Sequence, residues 1–288
     1  MIAATAEGFF RHLDADKWVD IGKATIETLL MMAGSLPLTL AIGLPMGVLL
    51  YVFGAPQLKR RPFAYGVLAL VVNLLRSVPF IILMVVLIPV SLWLMGQSIG
   101  VLGTLPALVI GAAPFYARLV ETALREVDRG VVEAAQSMGA TTWQLVSRVL
   151  LPEARPGLIA AATVTTVALV GFTAMGGAIG SGGLGDLALR EGYQRNRTDV
   201  ALVTVVVLLV LVQLLQMPGG AISTLVRHFV AQLADLLGML RHALELVGVH
   251  PVLVTQALGQ LLVQGFVHVR RTREDPGHLA AWVADQRP

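Results

Sequence analysis

Residues 133–152 read Glu-Ala-Ala-Gln-Ser-Met-Gly-Ala-Thr-Thr-Trp-Gln-Leu-Val-Ser-Arg-Val-Leu-Leu-Pro, a polar stretch in a chain that is otherwise mostly apolar. Hydrophobic residues make up 56% of the 288 residues and charged residues only 14%. Because a soluble domain carries roughly a quarter charged residues, this composition indicates a polytopic membrane protein. The stretch 133–152 is then a loop between two membrane spans.

Long runs without Asp, Glu, Lys or Arg predict the spans. These runs are 28–58, 77–117, 156–185 and 200–226. About 20 apolar residues cross a bilayer as a helix, so the run 77–117 belongs to two spans joined by a Gly- and Pro-containing turn near 96–106. We therefore predict an all-α fold with five spans, near 26–53, 66–95, 104–124, 157–178 and 200–220.

The distribution of lysine and arginine predicts the orientation in the membrane. The N-terminal arm, the turn near 96–103 and the loop near 181–199 together hold six of these residues. The loops 54–62 and 118–155 and the C-terminal tail hold fourteen. Because cytoplasmic loops carry the excess, we expect an extracytoplasmic arm over 1–24, a membrane domain over 25–220, and a cytoplasmic extension of unknown role over 221–288. The net charge is only +3, so we expect no nucleic-acid partner.

Local signals predict a short helix at the start of the cytoplasmic loop. Arg118, Glu121 and Arg125 are spaced at i,i+3 and i,i+4, which favours a helical extension of the third span with opposite charges on one solvated face. Asp128 is a suitable N-cap for a short helix over 130–138, and Gly139 is a suitable C-terminal stop.

A second short helix is predicted directly after that glycine. Either Thr141 or Thr142 can cap it, and Trp143, Val146 and Leu150 would form its apolar stripe. Pro152 and Pro156 break the chain before the fourth span. Two short helices that meet at a glycine would make a compact elbow.

The spacing of the loop resembles the signature loop of the permease subunits of bacterial binding-protein-dependent ABC importers. That pattern is Glu-Ala-Ala, three residues, Gly, nine residues, Ile, any residue and Leu-Pro, and here only Val149 departs from it. The resemblance implies a surface that couples the membrane helices to a separate ATP-binding subunit. The residues implied are Glu133, Ala134, Ala135, Gly139, Leu151 and Pro152. An amphipathic loop helix lying on the lipid headgroups is the alternative interpretation.

Three further stretches look like those of methionine importer permeases. They are Arg76-Ser-Val-Pro-Phe-Ile-Ile-Leu-Met84, Gly111-Ala-Ala-Pro-Phe-Tyr-Ala-Arg118 and the glycine-rich segment 171–185. The resemblance covers about residues 22–217. It implies the type I importer architecture in the bacterial cytoplasmic membrane, with a second copy of the chain, ATP-binding subunits and an extracytoplasmic solute-binding lipoprotein as partners. A permease for another amino acid or small solute, and a membrane receptor or scaffold without transport, remain open.

Candidate residues of the translocation route come from two places in the sequence. Arg76 is the only charge more than six residues from the ends of a predicted span, and an arginine at the bilayer centre costs at least ~3 kcal/mol on insertion scales. It therefore belongs to a route or gate, or else lies near the headgroups. Ser77 and Pro79 could bend the same span. The other candidates are Met175, Gly176 and Gly177.

The sequence predicts no catalytic, metal or cofactor site in this chain. Residues 180–185 match G-x-G-x-x-G, but a dinucleotide site needs a strand before this motif, and an apolar run of membrane length precedes it instead. The sequence also lacks G-x-x-x-x-G-K-[ST]. We therefore expect ATP and Mg²⁺ to be used by the partner subunit.

Overall fold

The computed structural model describes residues 14–56, 58 and 61–216, which are helical and contain no β-strand. The helices are α1 (Ala15–Gly54), α2 (Pro62–Ser77), α3 (Phe80–Val86), α4 (Ile88–Met95), α5 (Gly100–Arg125), α6 (Arg129–Ser137), α7 (142–153), α8 (Arg155–Gly176), α9 (183–194) and α10 (Thr198–Gln216). Both α7 and α9 contain a π-helical part, at Leu145–Leu150 and Ala188–Gln194. The all-α prediction is confirmed for these residues. The expected cytoplasmic extension 221–288 and residues 1–13 of the expected arm lie outside them.

Within the described residues, four helices are long and apolar enough to cross a membrane: α1, α5, α10 and α8 with the 3-10 turn Gly177–Ile179 that follows it. The bent pair α2 and α3 adds a fifth span if it is counted as one. These elements correspond to the five predicted spans. The first helix begins about ten residues earlier than the predicted span, because Asp16, Lys17 and Asp20 continue the helix beyond its apolar part.

The second span is not the continuous helix 66–95 that the sequence predicts. Helix α2 ends at Ser77, α3 begins at Phe80, and the two helices meet at 104°. Pro79 lacks an N–H, and it disfavours the helical conformation in the preceding Val78, whose ψ is 127°. The sequence predicted a possible bend at Ser77 and Pro79, and the structure shows a full break there.

Helix α5 forms the centre of the bundle, with α1 and α8 packed against it. Gly43 and Gly47 of α1 allow the closest approach. A Cβ atom on Gly43 would lie 2.8 Å from the carbonyl oxygen of Ala113, and one on Gly47 would lie 2.5 Å from that of Ala117. This G-x-x-x-G pair therefore serves packing within the bundle.

The glycine-rich segment after α8 is a tightly packed bend. A Cβ on Gly177 would lie 2.1 Å from the backbone nitrogen of Asp186, and one on Gly185 would lie 2.3 Å from the carbonyl oxygen of Ala174. Helix α1 also holds the start of α9. The Glu27 carboxylate accepts a hydrogen bond from the Gly183 N–H at 2.7 Å, and Thr28 Oγ1 accepts one from the next N–H at 2.9 Å. The sequence gave no sign of these two caps, because Glu27 and Thr28 are distant from α9 along the chain.

A buried carboxylate links the start of α1 to α9. Glu191 is 4% exposed, and its oxygens lie 3.4 Å from Lys17 Nζ, 2.7 Å from Arg195 Nη1 and 2.9 Å from Arg197 Nη1. Burial opposes ionisation of Glu191, but the three cationic partners outweigh it and hold its pKa below the usual range. The sequence gave no sign of this cluster, because its members come from two distant segments.

Candidate coupling elbow and translocation route

The elbow, residues 128–153, begins with a capped helix. Asp128 Oδ1 accepts hydrogen bonds from the backbone N–H groups of Gly130 at 2.6 Å and Val131 at 3.4 Å. These bonds satisfy two of the donors that a helix start leaves without intrahelical partners. The predicted cap is confirmed, and α6 spans Arg129–Ser137 in place of the predicted 130–138.

Gly139 ends α6 as predicted. Its φ is +81°, a left-handed conformation that glycine adopts without the steric penalty of a Cβ. The Gly139 N–H donates to the Gln136 carbonyl at 2.9 Å, and the Ala140 N–H donates to the Ala135 carbonyl at 3.1 Å. These two bonds close the helix end and turn the chain sharply into α7.

Thr141, and not Thr142, caps α7. Thr141 Oγ1 accepts a hydrogen bond from the Gln144 N–H at 3.3 Å, and Gln144 Oε1 accepts one from the Thr141 N–H at 2.9 Å. This reciprocal pair is a capping box. Only three residues separate the end of one capped helix from the cap of the next, which gives the elbow a defined shape.

Apolar side chains pack the two helices of the elbow against each other. Helix α6 packs on the π-helical part of α7, and it buries Val132 and Ala135. In α7, Leu145, Val146, Leu150 and Leu151 are buried, while Trp143 and Pro152 are half-buried. Leu151 therefore anchors the elbow. The chain then turns at Ala154, which lies between α7 and α8.

The opposite face of α6 is open. Glu133, Ala134 and Gly139 are exposed, so three of the six predicted coupling residues lie on a free surface in the isolated chain. Ala135 points inward, where its small side chain fits the packing within the elbow. Met138 is 82% exposed at the tip of the same face. Sequence reasoning missed Met138, although an apolar residue before a helix-ending glycine is a signal for an exposed contact.

The charged residues at the end of α5 do not form the solvated face that the sequence predicted. Glu121 is only 2% exposed, and its carboxylate pairs with Arg118 Nη1 at 2.5 Å and Arg125 Nη2 at 2.7 Å. Two α2 side chains complete the network: Tyr65 Oη donates to Glu121 Oε1 at 3.3 Å, and Arg118 Nη2 donates to Asn73 Oδ1 at 2.8 Å. The spacing rule gave the pairs correctly, but the carboxylate that the two arginines share is buried, while Arg125 stays exposed.

The candidate route residues from the second span lie at its break. Arg76 is in the last turn of α2, with its guanidinium carbon 5.7 Å from the centroid of the Phe115 ring of α5. Ser77 Oγ donates to the Leu74 carbonyl at 2.8 Å, and Pro79 occupies the bend before α3. All three predicted residues, Arg76, Ser77 and Pro79, are exposed in the isolated chain.

The candidates from the fourth span lie where α8 meets α3. The rings of Phe80 and Phe172 stack with their centroids 4.2 Å apart. Gly176 is buried, and a Cβ there would lie 2.6 Å from Ser181 Oγ and 3.4 Å from the terminal methyl of Met84. Gly177 is also buried, whereas Met175 is half-exposed. The structure therefore packs α3 against the end of α8, whereas Arg76 contacts Phe115 of α5.

The part of the chain that the structure describes has no group of three or more His, Cys, Asp or Glu residues able to hold a metal ion. Several polar side chains in this part of the chain cap helices or form ion pairs.

Residues 43–226 match the family of binding-protein-dependent transport system inner membrane components. This chain belongs to that family. The methionine import system permease protein MetP of Bacillus subtilis is 47% identical over 220 residues, which are 76% of this chain and 98% of the relative. The D-methionine transport system permease protein MetI of Escherichia coli is 50% identical over 151 residues, 52% of this chain and 70% of that protein.

A solved structure of the MetNI methionine ABC transporter in inward-facing conformations contains a similar chain. The TM-score is 0.71 at 43% sequence identity, and the match covers 75% of this chain and 99% of the other. The fold is therefore that of a type I importer permease, as the resemblance implied, and the protein is a multi-pass inner membrane protein.

Proposed function

We propose that this chain is the membrane-spanning permease subunit of an ABC importer that carries methionine across the bacterial cytoplasmic membrane. The observation that carries the proposal is the elbow: a capped, glycine-terminated helix whose open face presents Glu133, Ala134 and Met138 while its inner face packs on α7. The methionine permeases of other bacteria named above support the choice of solute.

The proposed assembly contains a second copy of this chain, two ATP-binding subunits and an extracytoplasmic solute-binding lipoprotein. Five spans enclose little space for a gated path, and α3 presents exposed apolar residues such as Ile82, Val85 and Val86 that a second copy or lipid would cover. We place the N-terminus outside and the elbow and C-terminus inside, because lysine and arginine concentrate on the elbow side. ATP and Mg²⁺ belong to the ATP-binding subunits.

In this mechanism the chain transmits force and does no chemistry. Closure of the nucleotide sites in the ATP-binding subunits draws the two elbows together and opens the route outward. Hydrolysis resets the route inward. The elbow can act as a lever because both of its helices have closed ends and Leu145, Leu150 and Leu151 are buried beneath it. Glu133 supplies a charge that orients docking, and Ala134 allows close contact with the ATP-binding subunit.

We propose that the bend between α2 and α3 and the end of α8 line the translocation route. Arg76, Ser77 and Pro79 mark the bend, and Met175, Gly176 and Gly177 mark the end of α8. Glycines at the α8 end suit a moving contact because their backbones approach α3 and α9 closely. Arg76 stacks on Phe115 instead of pairing with an acid, an arrangement that stabilises a cation while it leaves polar donors on the guanidinium.

The test is uptake of labelled methionine by cells that lack their own methionine importers. The cells co-express this chain with the ATP-binding subunit and binding protein encoded beside it. Uptake that depends on this chain, and that methionine but no other amino acid competes, supports the proposal. Absence of methionine uptake while the three proteins still co-purify would move the substrate to another amino acid or small solute. Absence of any associated ATP-binding subunit would favour a receptor or scaffold.

A further inference from the structure

The network of ion pairs and hydrogen bonds around Glu121 connects α5 and α2. The chain joins the elbow directly to α5 but not to α2. Helix α5 leads into α6 through residues 126–128, so the elbow's displacement acts on α5 first. Helix α2 has no such connection, yet it carries Arg76 and ends at the bend before α3. Its link to the elbow must therefore pass through side chains.

The charged trio is already organised within α5. Arg118, Glu121 and Arg125 lie three and four residues apart, and both guanidinium groups bond to the one buried carboxylate. These pairs hold α5 together, but they do not by themselves attach another helix. The attachment comes from Tyr65 and Asn73, which are both on α2.

Tyr65 and Asn73 attach α2 to the trio at two points. The Tyr65 hydroxyl lies 3.3 Å from Glu121 Oε1 and 3.5 Å from Arg118 Nη1, and Asn73 Oδ1 accepts from Arg118 Nη2 at 2.8 Å. Eight residues separate the two α2 side chains, which places them about 12 Å apart along the helix. Two attachments at this spacing resist both sliding and tilting of α2 relative to α5.

The end of α1 closes the network from a third side. A Cβ atom on Gly54 would lie 2.9 Å from Tyr65 Cε2 and 3.1 Å from Arg125 Nη2. Because Glu121 is 2% exposed, separation of α2 from α5 would remove the Tyr65 hydrogen bond from a buried carboxylate, whereas Asn73 is itself exposed.

We propose that Tyr65 and Asn73 are positioning residues that clamp α2 to the charged end of α5, so that displacement of the elbow moves both helices as one body and reaches the bend at Pro79. This inference rests on the proposed permease function. It assigns a role in coupling to two α2 side chains that lie outside the elbow and outside the candidate route.

The first test uses the double variant Tyr65→Phe with Asn73→Leu, which removes the clamp and leaves the α5 ion pairs in place. The matched control is Tyr193→Phe, since Tyr193 is 80% exposed on α9. In proteoliposomes with the ATP-binding subunit and binding protein, methionine uptake per ATP hydrolysed should fall about fivefold or more in the clamp variant, the lower end of typical coupling between sites. ATP hydrolysis itself should persist. A proportional loss of uptake and hydrolysis, or no change in either, would overturn the proposal.

The second test does not depend on the transported solute. The sequence has no cysteine, so cysteines introduced at Val71 of α2 and Thr122 of α5 are the sole labelling sites. Spin-label distances are measured with labelled chain diluted in unlabelled chain, in complex with the ATP-binding subunit, with and without trapped ATP. The proposal expects one unchanged distance in the otherwise native chain, and a shifted or broadened distance in the clamp variant. A distance that changes with ATP in the otherwise native chain would contradict the single-body motion. If that complex takes up no methionine, the proposed substrate fails, while the distances still decide the clamp.

Discussion

Substitutions at Gly139 separate the backbone geometry of the elbow from its contact surface. The φ of Gly139 is +81°, and a Cβ built there meets nothing within 4 Å in this chain. Space within the chain is therefore irrelevant, and the cost of a side chain comes from the backbone alone. For alanine that cost is about 1–2 kcal/mol, whereas asparagine occupies the left-handed region more readily.

These energies predict that the affinities of the Gly139→Asn and Gly139→Ala variants for the ATP-binding subunit are in the reverse of the order expected from side-chain size. If docking requires the closed elbow, Gly139→Ala weakens binding of the ATP-binding subunit by up to about 5- to 30-fold, the factor that corresponds to 1–2 kcal/mol. The larger Gly139→Asn should bind better than Gly139→Ala. Proline is excluded more severely, because its φ is fixed near −65° and it removes the N–H that bonds to Gln136 at 2.9 Å.

The assay is titration of the purified detergent-solubilised chain with the labelled ATP-binding subunit, with membrane expression checked for each variant. The account expects affinities in the order Gly, Asn, Ala, Pro. If Gly139→Asn binds more weakly than Gly139→Ala, side-chain volume against the partner controls docking, and the argument from φ is refuted.

Three further predictions concern stability and docking. Gly185→Ala should destabilise the chain by about 1–3 kcal/mol, because the added methyl overpacks against the Ala174 carbonyl, and should therefore lower the melting temperature of the solubilised chain. Gly171→Ala is the control, since a Cβ there meets nothing within 4 Å, and its melting temperature should not fall. Equal melting temperatures of the two variants would contradict the packing of the bend. The pKa of Glu191 is lowered in the folded protein, so the stabilisation from its ion pairs is fully present above the ordinary pKa near 4 and is lost as pH falls through the lower folded pKa. Glu191→Gln should therefore be about 1–2 kcal/mol less stable than the unaltered chain at pH 7, and this difference should shrink in acid. A stability difference that stays constant with pH would disprove the linkage. Glu133→Lys should reduce both docking and uptake without affecting membrane insertion, whereas Glu126→Lys, also exposed, serves as its control; normal uptake by Glu133→Lys would remove Glu133 from the coupling surface.

Local signals in the sequence predicted the elbow well. Asp128, Gly139 and Thr141 act through hydrogen bonds to residues at most five positions away, so residue type and spacing were sufficient to place each of them. The positions of the spans could be predicted equally well, because an apolar run of membrane length has few alternatives to a helix.

The features that the sequence did not reveal depend on contacts between distant segments. Buried Glu121 accepts a hydrogen bond from Tyr65, and its partner Arg118 donates to Asn73; both residues are on α2, more than 40 residues earlier. Glu27 caps a helix that begins 156 residues later. The break at Pro79 is local, but the sequence suggested only a bend. The sequence gave no value for the 104° angle or for the stacking of Phe80 on Phe172 of α8.

Transport by the purified complex tests the central claim most directly. The chain, its ATP-binding subunit and the binding protein are reconstituted in proteoliposomes, and ATP-driven uptake of labelled methionine is compared between the unaltered chain and Gly139→Pro. The account predicts uptake that requires ATP and all three proteins, and its loss in Gly139→Pro although that variant inserts into the membrane. Methionine uptake by Gly139→Pro at the unaltered rate would contradict coupling through the elbow.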